Sequence, residues 1–502
     1  MSASLSSVLF TRGADRVYFA ALLVCLFYIF CTSGPIPIPF RENVGSPGPL
    51  QSQDTVSADD NSTSVAEGFD LADVFKEEQA SSKDVSDIFS AEPWVPPQVT
   101  DLDESRMEMV EPYITAIMDP KDKYFDRLQC PHPYKNRYKG LRRRRNLSSK
   151  FETGPKQYFF ALNLYECAHV LPRLLGSVVE AIRLLRPEDC VLSIVGGRST
   201  DGTTEILSRL RDEMEAMNVT YYFSTSDIDP LKQGNDRITE LAKLRNLVLD
   251  PLIRQPELYD PDATVIFLND VSICADDIME LVYQKEFQRA HMTCAMDWVD
   301  YGDTFYDSWI SRSMTGDMFI EIPQDGSFEF KHNLFWNDPV TRKRFDMKLP
   351  IQVYSCWNGG AAFTAKPLLK DNVTFRASYK DECYMGEPTL FCKDFWTLGY
   401  GRIAIIPSVN VGYNDDESRH VKEKHGYASS TIFETEKVEE RSTEIQWKVT
   451  PPELVKCEPD WVHPSWVQWD QASKDQEPFD WTHSGYFNAD KGEENEGGLI
   501  FD

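Results

Sequence analysis

The feature that most limits the fold of this chain is a succession of strand-like and helix-like patterns between residues 158 and 282. Apolar runs typical of buried strands occupy residues 158–165, 190–195 and 264–268, and segments with helical spacing of Leu, Ile and Val separate them. This alternation predicts an α/β fold with a doubly wound, mainly parallel sheet. Ligands of such sheets bind beyond the carboxyl ends of the strands, so polar residues at those ends are the first candidates for a site.

The strand predicted at residues 264–268 ends in Asn269 and Asp270. A carboxylate at the edge of a sheet can hold Mn²⁺ or Mg²⁺, and the metal can bridge two phosphates of a nucleotide. A reaction that releases a nucleoside diphosphate needs such help, because the leaving group gains negative charge. The alternative is a simple turn built on Asn–Asp chemistry. Asp270 is therefore the candidate metal ligand, with Asn269 beside it as a candidate donor-binding residue.

Two other segments have the chemistry of a nucleotide site. Residues 196–203 (GGRSTDGT) follow the second strand, and their glycines let a ligand approach the backbone at a helix N-terminus. Arg198 would add positive charge there and Asp201 would bind a nucleoside hydroxyl, whereas a capped turn is the alternative. Arg237 and Arg245 lie two helical turns apart on one face, which either points at phosphate or is an ordinary surface.

Aromatic residues stand beside carboxylates and amides after residue 290. Aromatic rings cover the apolar faces of sugars, while Asp and Asn hydrogen-bond the hydroxyl groups. A tryptophan-rich core is the alternative for part of this set. The candidates are Asp297, Asp307, Arg312, Trp357 and Asn358.

Acidic residues at 381–394 include candidates for the group that orients or deprotonates an acceptor hydroxyl, with exposed loop acids as the alternative. Glu387 belongs to this group. His420 follows a late strand-like run and is a candidate second metal ligand, although a plain surface histidine is the alternative.

An uncharged, largely apolar run at residues 17–32 lies close to the N-terminus. It is shorter than the ~20 residues that usually cross a bilayer, so it fits a short signal anchor in a thinner internal membrane. A cleaved signal peptide is the alternative. Arg12 and Arg16 precede the run and favour a cytoplasmic N-terminus. We expect a single-pass type II protein of the Golgi or another secretory-pathway membrane, with its catalytic part in the lumen.

Sequons and cysteines agree with a lumenal location. Nine of the eleven cysteines follow the apolar run, so disulfides are expected and at least one thiol is left over. No CxxC pair occurs, which argues against a structural zinc site. The four sequons begin at Asn61, Asn146, Asn218 and Asn372.

The formal net charge of −28 argues against a nucleic-acid partner, because a phosphate backbone is bound by clustered Lys and Arg. Composition predicts a cytoplasmic tail (1–16), a transmembrane anchor (17–33), a flexible lumenal stem and lead-in (34–150), a catalytic domain (151–430) and an acidic extension (431–502). The tryptophans of the extension either pack on the domain or contact a glycan.

Taken together, these motifs resemble the fungal capsule-associated (CAP-type) mannosyltransferases, also called the cryptococcal mannosyltransferase family. The resemblance spans about residues 155–415. It rests on the ordered motifs STDGT (199–203), RI..LA.LRN (237–246), FLNDV (267–271), MDW (296–298), YDSW..R (306–312), CWNGG (356–360), EC (382–383) and GYGRI...P (399–407).

The resemblance implies a GT-A-like, metal-dependent enzyme that moves mannose from GDP-mannose to a mannose-containing acceptor. It further implies an alpha-1,3 linkage formed with retention, in capsule, cell-wall or glycan synthesis. Two alternatives stay open: a transferase of another sugar nucleotide such as UDP-xylose or UDP-glucose, and a non-catalytic factor of polysaccharide assembly or export. The implied catalytic residues are Glu387, Asp297 and Asp307, and the implied acceptor-binding residues are Trp357, Asn358 and Arg312.

Overall fold

The computed structural model of the protein describes residues 99, 104–142, 154–323, 327–435, 443–459 and 464–471. The predicted cytoplasmic tail and membrane anchor, and most of the predicted stem, lie outside these residues. Among the helices that are described, none is both long and apolar enough to cross a membrane.

The strands and helices are numbered here in chain order. The strands are β1 Lys156–Asn163, β2 Cys190–Gly196, β3 Thr220–Thr225, β4 Tyr259–Leu268, β5 Met292–Val299, β6 Thr304–Phe305, β7 Arg312–Ser313, β8 Ile351–Ser355, β9 Gly360–Thr364, β10 Ile403–Val411, β11 Leu454–Cys457 and β12 Ser465–Gln468. The α-helices are α1 Val110–Met118, α2 Lys135–Tyr138, α3 Leu171–Leu185, α4 Thr203–Ala216, α5 Arg237–Arg254, α6 Ala275–Phe287, α7 Pro339–Asp346, α8 Lys366–Asp371, α9 Glu387–Thr397, α10 Asp415–His425 and α11 Ala428–Thr435.

One mixed sheet holds the first ten strands, in the order β3-β2-β1-β4-β9-β5-β10-β8-β7, with β6 paired to β5. The pairs β3–β2, β2–β1, β1–β4 and β5–β10 are parallel. β9 runs antiparallel between β4 and β5, and β8 runs antiparallel beside β10. The prediction of a mainly parallel α/β sheet is confirmed, and the antiparallel insertion of β9 was not predicted.

The central residues of the inner strands are largely apolar because helices cover both faces of the sheet. In β1, Phe159 and Ala161 belong to one hydrophobic core, and Tyr158, Phe160 and Leu162 belong to a second core on the opposite face. Strands buried on both faces read as continuous apolar runs rather than as alternating ones. This explains why the sequence pattern located these strands well.

Residues 104–142, which the sequence placed in the lead-in, are part of the folded body. α1 packs against α3 and α4, and its Ile114 and Ile117 are buried in the second core. A disulfide joins Cys130 to Cys274 immediately before α6. The lead-in is therefore held to the helix that follows the strand β4.

The described part of the C-terminal extension includes a hairpin of β11 and β12. Two disulfides lie in this half of the chain, Cys294–Cys356 inside the sheet and Cys383–Cys457 between the hairpin and the segment before α9. Trp469 packs against the core, whereas Trp466 is 48% exposed. Trp461 and Trp481 lie outside the described residues. Buried unpaired thiols remain at Cys167, Cys190 and Cys392.

Candidate active site

Asp270 lies two residues beyond the end of β4, at the edge of the sheet where its side chain is half-buried. Burial raises the pKa of its carboxyl group, and the positive charges of His169 and Arg245 oppose that rise. No side chain of the described residues donates a hydrogen bond to this carboxylate. Asp270 is therefore free to bind a cation from outside the protein.

Asn269 joins the end of β4 to the segment before β9. Its backbone N–H donates to the carbonyl oxygen of Gly359 over 3.0 Å. Its side-chain oxygen accepts a 3.0 Å hydrogen bond from the indole N–H of Trp357. The side-chain oxygen of Asn269 is therefore occupied by a hydrogen bond within the protein. The two bonds together fix the backbone that leads to Asp270.

Arg245 lies near the carboxylates of Asp270, Asp307 and Glu387. Its Nε donates to Glu387 over 2.7 Å, and its guanidinium lies 4.5 Å from the centroid of the Trp357 ring. Its charge lowers the pKa of both Asp270 and Asp307, although burial leaves both pKa values raised. Three carboxylates from distant parts of the chain thus surround one arginine.

The terminal nitrogens of Arg245 have no hydrogen-bond partner among the described residues, because Glu387 bonds only Nε. Glu387 itself is 2% exposed at the first position of α9. The ion pair therefore orients the guanidinium and leaves two nitrogens able to bind an anion.

Asp297 and Asp307 form a coupled pair of carboxylates. The Tyr413 hydroxyl donates to Asp297 over 2.7 Å, and the backbone N–H of Asp307 donates to Asp297 over 3.3 Å. Burial, and then the charge of Asp307, raise the pKa of Asp297 well above its usual value. Burial also raises the pKa of Asp307 to about 6, opposed by the N–H of Asn358. Asp297 is fully buried, so Asp307, which is half-buried, is the member that can reach a ligand.

Trp357 and Asn358 are interior residues. Asn358 accepts from the Ser311 hydroxyl and donates to the carbonyl of Ala295, each over 2.8 Å. Its backbone N–H donates to Asp307 over 2.7 Å. Both side chains thus shape the site from inside, and direct contact of either with an acceptor stays a prediction.

Arg312 is also an interior residue, 1% exposed. Its Nε donates to the carbonyl of Lys456 over 2.9 Å, and its Nη1 donates to the carbonyl of Trp309 over 2.8 Å. Burial lowers the pKa of its guanidinium to about 10. These contacts give Arg312 a structural role in holding the C-terminal hairpin, and acceptor binding by it stays a prediction.

The loop after β2 holds the other two donor-binding candidates. Asp201 accepts from the backbone N–H of Ala168 over 2.8 Å and from the Thr203 hydroxyl over 2.7 Å. Arg198 pairs with Asp229 over 2.7 Å and lies 4.7 Å from the ring centroid of Tyr165. Asp201 therefore organises the loop, while Arg198 stays half-exposed beside an exposed tyrosine.

Arg237 is exposed at the first position of α5. Asp236 caps this helix by accepting from the Thr239 N–H over 2.9 Å, and it also accepts from the Tyr384 hydroxyl over 2.8 Å. The positive charge of Arg237 lowers the pKa of Tyr306 and of Tyr384, opposing the rise that burial causes. Arg237 therefore lies near the segment that contains Tyr306 and Asp307.

His420 lies on an exposed face of α10. Its ring packs edge-on against Tyr301 at 4.8 Å, and its Nδ1 lies 3.0 Å from the carbonyl of Asp416. Across the described ranges, no group of three or more His, Cys, Asp or Glu side chains is placed to hold a metal. His420 as a metal ligand therefore stays a prediction without geometric support.

His169 is a neighbour of Asp270 that was not among the residues predicted from the sequence. His169 follows the end of β1, and β1 is the parallel neighbour of β4. A search for polar residues after every predicted strand could have found it, because the carboxyl ends of parallel strands meet at one edge.

Comparisons with known sequences identify the class as glycosyltransferases. The family described as cryptococcal mannosyltransferase 1 matches residues 157–394, which include Arg245, Asp270, Asp307 and Glu387. Alpha-1,3-mannosyltransferase CMT1 of Cryptococcus neoformans is 32% identical over 336 residues, which cover 62% of this chain and 72% of that protein. The chain belongs to the cryptococcal mannosyltransferase family.

Similar solved structures are more distant. S. aureus TarS is 14% identical with a TM-score of 0.31, over 55% of this chain and 65% of that chain. Mannosyltransferase PcManGT from Pyrobaculum calidifontis, in complex with GDP-Man and Mn²⁺, is 13% identical with a TM-score of 0.30, over 56% and 63%. GalNAc-T7 with UDP, GalNAc and Mn²⁺ is 13% identical with a TM-score of 0.33, over 65% and 57%. The chain spans less than two thirds of each, and likeness at this level identifies no ligand or reaction.

Proposed function

We propose that this protein is a metal-dependent glycosyltransferase that moves mannose from GDP-mannose to a mannose-containing glycan, with retention and an alpha-1,3 linkage. Family membership and the 32% identity to an alpha-1,3-mannosyltransferase support the transfer of mannose. The observation that carries the proposal is Asp270, a half-buried carboxylate at the end of a central strand with no side-chain hydrogen bond of its own.

Asp270 would hold Mn²⁺ or Mg²⁺ together with the donor. Mg²⁺ is commonly bound by one or two carboxylates plus phosphate oxygens and water, so a single carboxylate that accepts no side-chain hydrogen bond fits. When bound, the cation neutralises charge on the departing nucleoside diphosphate. Arg245 supplies a second positive group, because its two terminal nitrogens can donate to phosphate oxygens while Glu387 holds its Nε.

Asp307 is the carboxylate best placed to act on the sugars. Its pKa of about 6 lets it accept a hydrogen bond from an acceptor hydroxyl near neutral pH, where it is ionised. The backbone N–H of Asn358 donates to one oxygen of the Asp307 carboxylate, and the backbone N–H of Asp307 donates to Asp297. The other carboxylate oxygen of Asp307 therefore remains for the substrate. Asp297 is buried and positions Asp307 by accepting its backbone N–H. Glu387 is buried and orients Arg245 by accepting its Nε–H.

The cellular setting forms part of the same proposal. A type II anchor at residues 17–33 would place the catalytic domain in the lumen of the Golgi or another secretory compartment, for capsule, cell-wall or glycan synthesis. The three disulfides support an oxidising compartment, since such bonds are rare in the cytosol.

The decisive variant is Asp270→Asn in the full chain, assayed by GDP release and product formation from GDP-mannose, Mn²⁺ and a mannose disaccharide. We expect a rate loss of roughly 100- to 1,000-fold, which is typical when one electrostatic group of a transition state is removed. Asp262→Asn is the matched control, because Asp262 is exposed near the other end of β4, and it should keep full activity.

Two results would count against the proposal in different ways. If Asp270→Asn transferred sugar as fast as the natural chain, Asp270 would not be the metal ligand. If the natural chain consumed UDP-xylose or UDP-glucose and left GDP-mannose intact, the donor assignment would be wrong while the class remained.

A further inference from the structure

The C-terminal hairpin forms an open surface pocket with the turn at residues 313–317. The pocket has a volume of about 530 Å³. Two apolar side chains in it are exposed to solvent, Trp466 at 48% and Leu454 at 41%. The lining residues are Met314, Thr315, Pro452, Glu453, Leu454 and Trp466.

The pocket is preformed because the hairpin is fixed to the turn. The backbone N–H of Lys456 donates to the carbonyl of Gly316 over 2.9 Å. Gly316 has a φ of +82°, and a Cβ there would overlap the carbonyl oxygen of Leu454, so only glycine permits this approach. The Cys383–Cys457 disulfide holds the end of β11 to the rest of the body. A ligand would therefore bind without the entropy cost of ordering the pocket.

The chemistry of the lining fits a neutral sugar. Trp466 pairs with Lys456 across the hairpin, so its side chain lies on the same face as that of Leu454. An exposed indole covers the apolar face of a pyranose, and the Glu453 carboxylate can accept hydrogen bonds from hydroxyl groups at its edge. The Glu453 carboxylate, the one charged group in this lining, disfavours phosphates and other anions. The open form of the pocket suits a chain that continues beyond it.

The same hairpin contacts the candidate active site. The Trp309 indole N–H donates to the carbonyl of Glu458 over 2.6 Å. A Cβ at Gly386 would lie 3.1 Å from the Trp309 ring, so this ring packs directly against the residue before Glu387. Trp309 also lies two residues after Asp307 in the chain. Trp309 therefore connects the hairpin with the segments that contain Asp307 and Glu387.

We propose that the Trp466 pocket is a second carbohydrate-binding site, which holds a distal sugar of an extended mannose-containing acceptor against the indole ring. The identity of the sugar rests on the proposed function, whereas the presence of a carbohydrate site rests on the pocket alone. The pocket raises the affinity for long acceptors and takes no part in the transfer step.

The test compares Trp466→Ala with Trp336→Ala in the full chain. Trp336 is a matched control, because it is 39% exposed and does not line the pocket. Retention is measured by electrophoresis in gels that contain mannan. We expect Trp466→Ala to weaken mannan binding roughly tenfold, which corresponds to about 1.4 kcal/mol, and Trp336→Ala to leave it unchanged. The KM for mannan should rise similarly, while kcat and the KM for a mannose disaccharide stay constant.

Each outcome separates this inference from the proposed function. Equal mannan retention by Trp466→Ala and the natural chain would overturn the carbohydrate site, even if GDP-mannose were consumed. An equal loss in both tryptophan variants would also overturn it, since the effect would then not belong to the pocket. A selective loss of mannan retention in Trp466→Ala would support the site even if no donor were consumed.

Discussion

Replacing Asp307 by Asn should stabilise the folded chain at neutral pH while it weakens sugar transfer. The Asp307 carboxylate accepts the Asn358 N–H over 2.7 Å, and the amide oxygen of Asn can accept the same bond. Burial raises the pKa of Asp307 from 3.8 to about 6. The ionised carboxylate is thus less stable in the folded chain than in the unfolded chain, and the variant removes that ionised group.

The size of the effect follows from the pKa values. A rise from 3.8 to about 6 corresponds to about 3 kcal/mol, at about 1.4 kcal/mol for each pKa unit. As the pH rises, the unfolded chain loses the proton first, so the free energy of unfolding falls between pH about 4 and about 6 and stays low above it. Asp307 is partly exposed and shares its titration with Asp297, so we expect a gain of about 1–3 kcal/mol at neutral pH. That gain is roughly 1–4 °C in the unfolding midpoint, because the unfolding entropy of a folded part of about 340 residues is about 0.7 kcal/mol/K.

The assay is the thermal unfolding midpoint of the full chain, followed by tryptophan fluorescence at pH about 4 and about 7.5. The midpoint of Asp307→Asn should exceed that of the natural chain at the higher pH, and the difference should shrink at the lower pH, where the natural Asp307 is protonated. Asp381→Asn is the control, because Asp381 is exposed in a loop and should change neither midpoint. A lower midpoint for Asp307→Asn at neutral pH, or an equal gain at both pH values, would refute the reasoning.

Two further predictions concern activity. The kcat/KM for the acceptor should fall as the pH drops through about 6, because protonation removes the Asp307 carboxylate, and a profile that is flat across this range would contradict that role. Arg245→Lys should raise the KM for the donor roughly tenfold, because a lysine cannot both hydrogen-bond Glu387 and stack on the Trp357 ring. The stacking of the guanidinium on the ring contributes about 1–2 kcal/mol. Unchanged donor kinetics in a normally folded Arg245→Lys protein would remove Arg245 from the donor site.

Local sequence patterns were sufficient for the parallel half of the sheet. The predicted runs at 158–165, 190–195 and 264–268 correspond to β1, β2 and β4, because each is a short apolar segment buried on both faces. β9 was missed because a five-residue antiparallel strand is defined by its neighbours β4 and β5, which lie far away in the sequence. Its own residues, GAAFT, carry only a weak strand pattern.

The candidate site shows the same division between local and distant information. Asp270 could be selected because a strand pattern ends just before it. The pairing of Arg245 with Glu387 could not be predicted from the sequence, because 142 residues separate the two. Asn358 and Arg312 have the residue types of sugar-binding groups, yet their hydrogen bonds go to Ala295, Lys456 and other interior atoms. Which polar side chains face a ligand depends on packing that no local pattern contains.

The order of the cysteines along the chain has a consequence for biosynthesis. The pairs 130–274, 294–356 and 383–457 follow one another without overlap, so each loop can close before the next pair emerges from the ribosome. Cys130, however, meets the thiols of Cys167 and Cys190 before its partner Cys274 has been made. Both of those thiols end inside the hydrophobic core, which removes them from exchange once β1, α3 and β2 have assembled. Early assembly of this N-terminal half thus protects the first pairing from error.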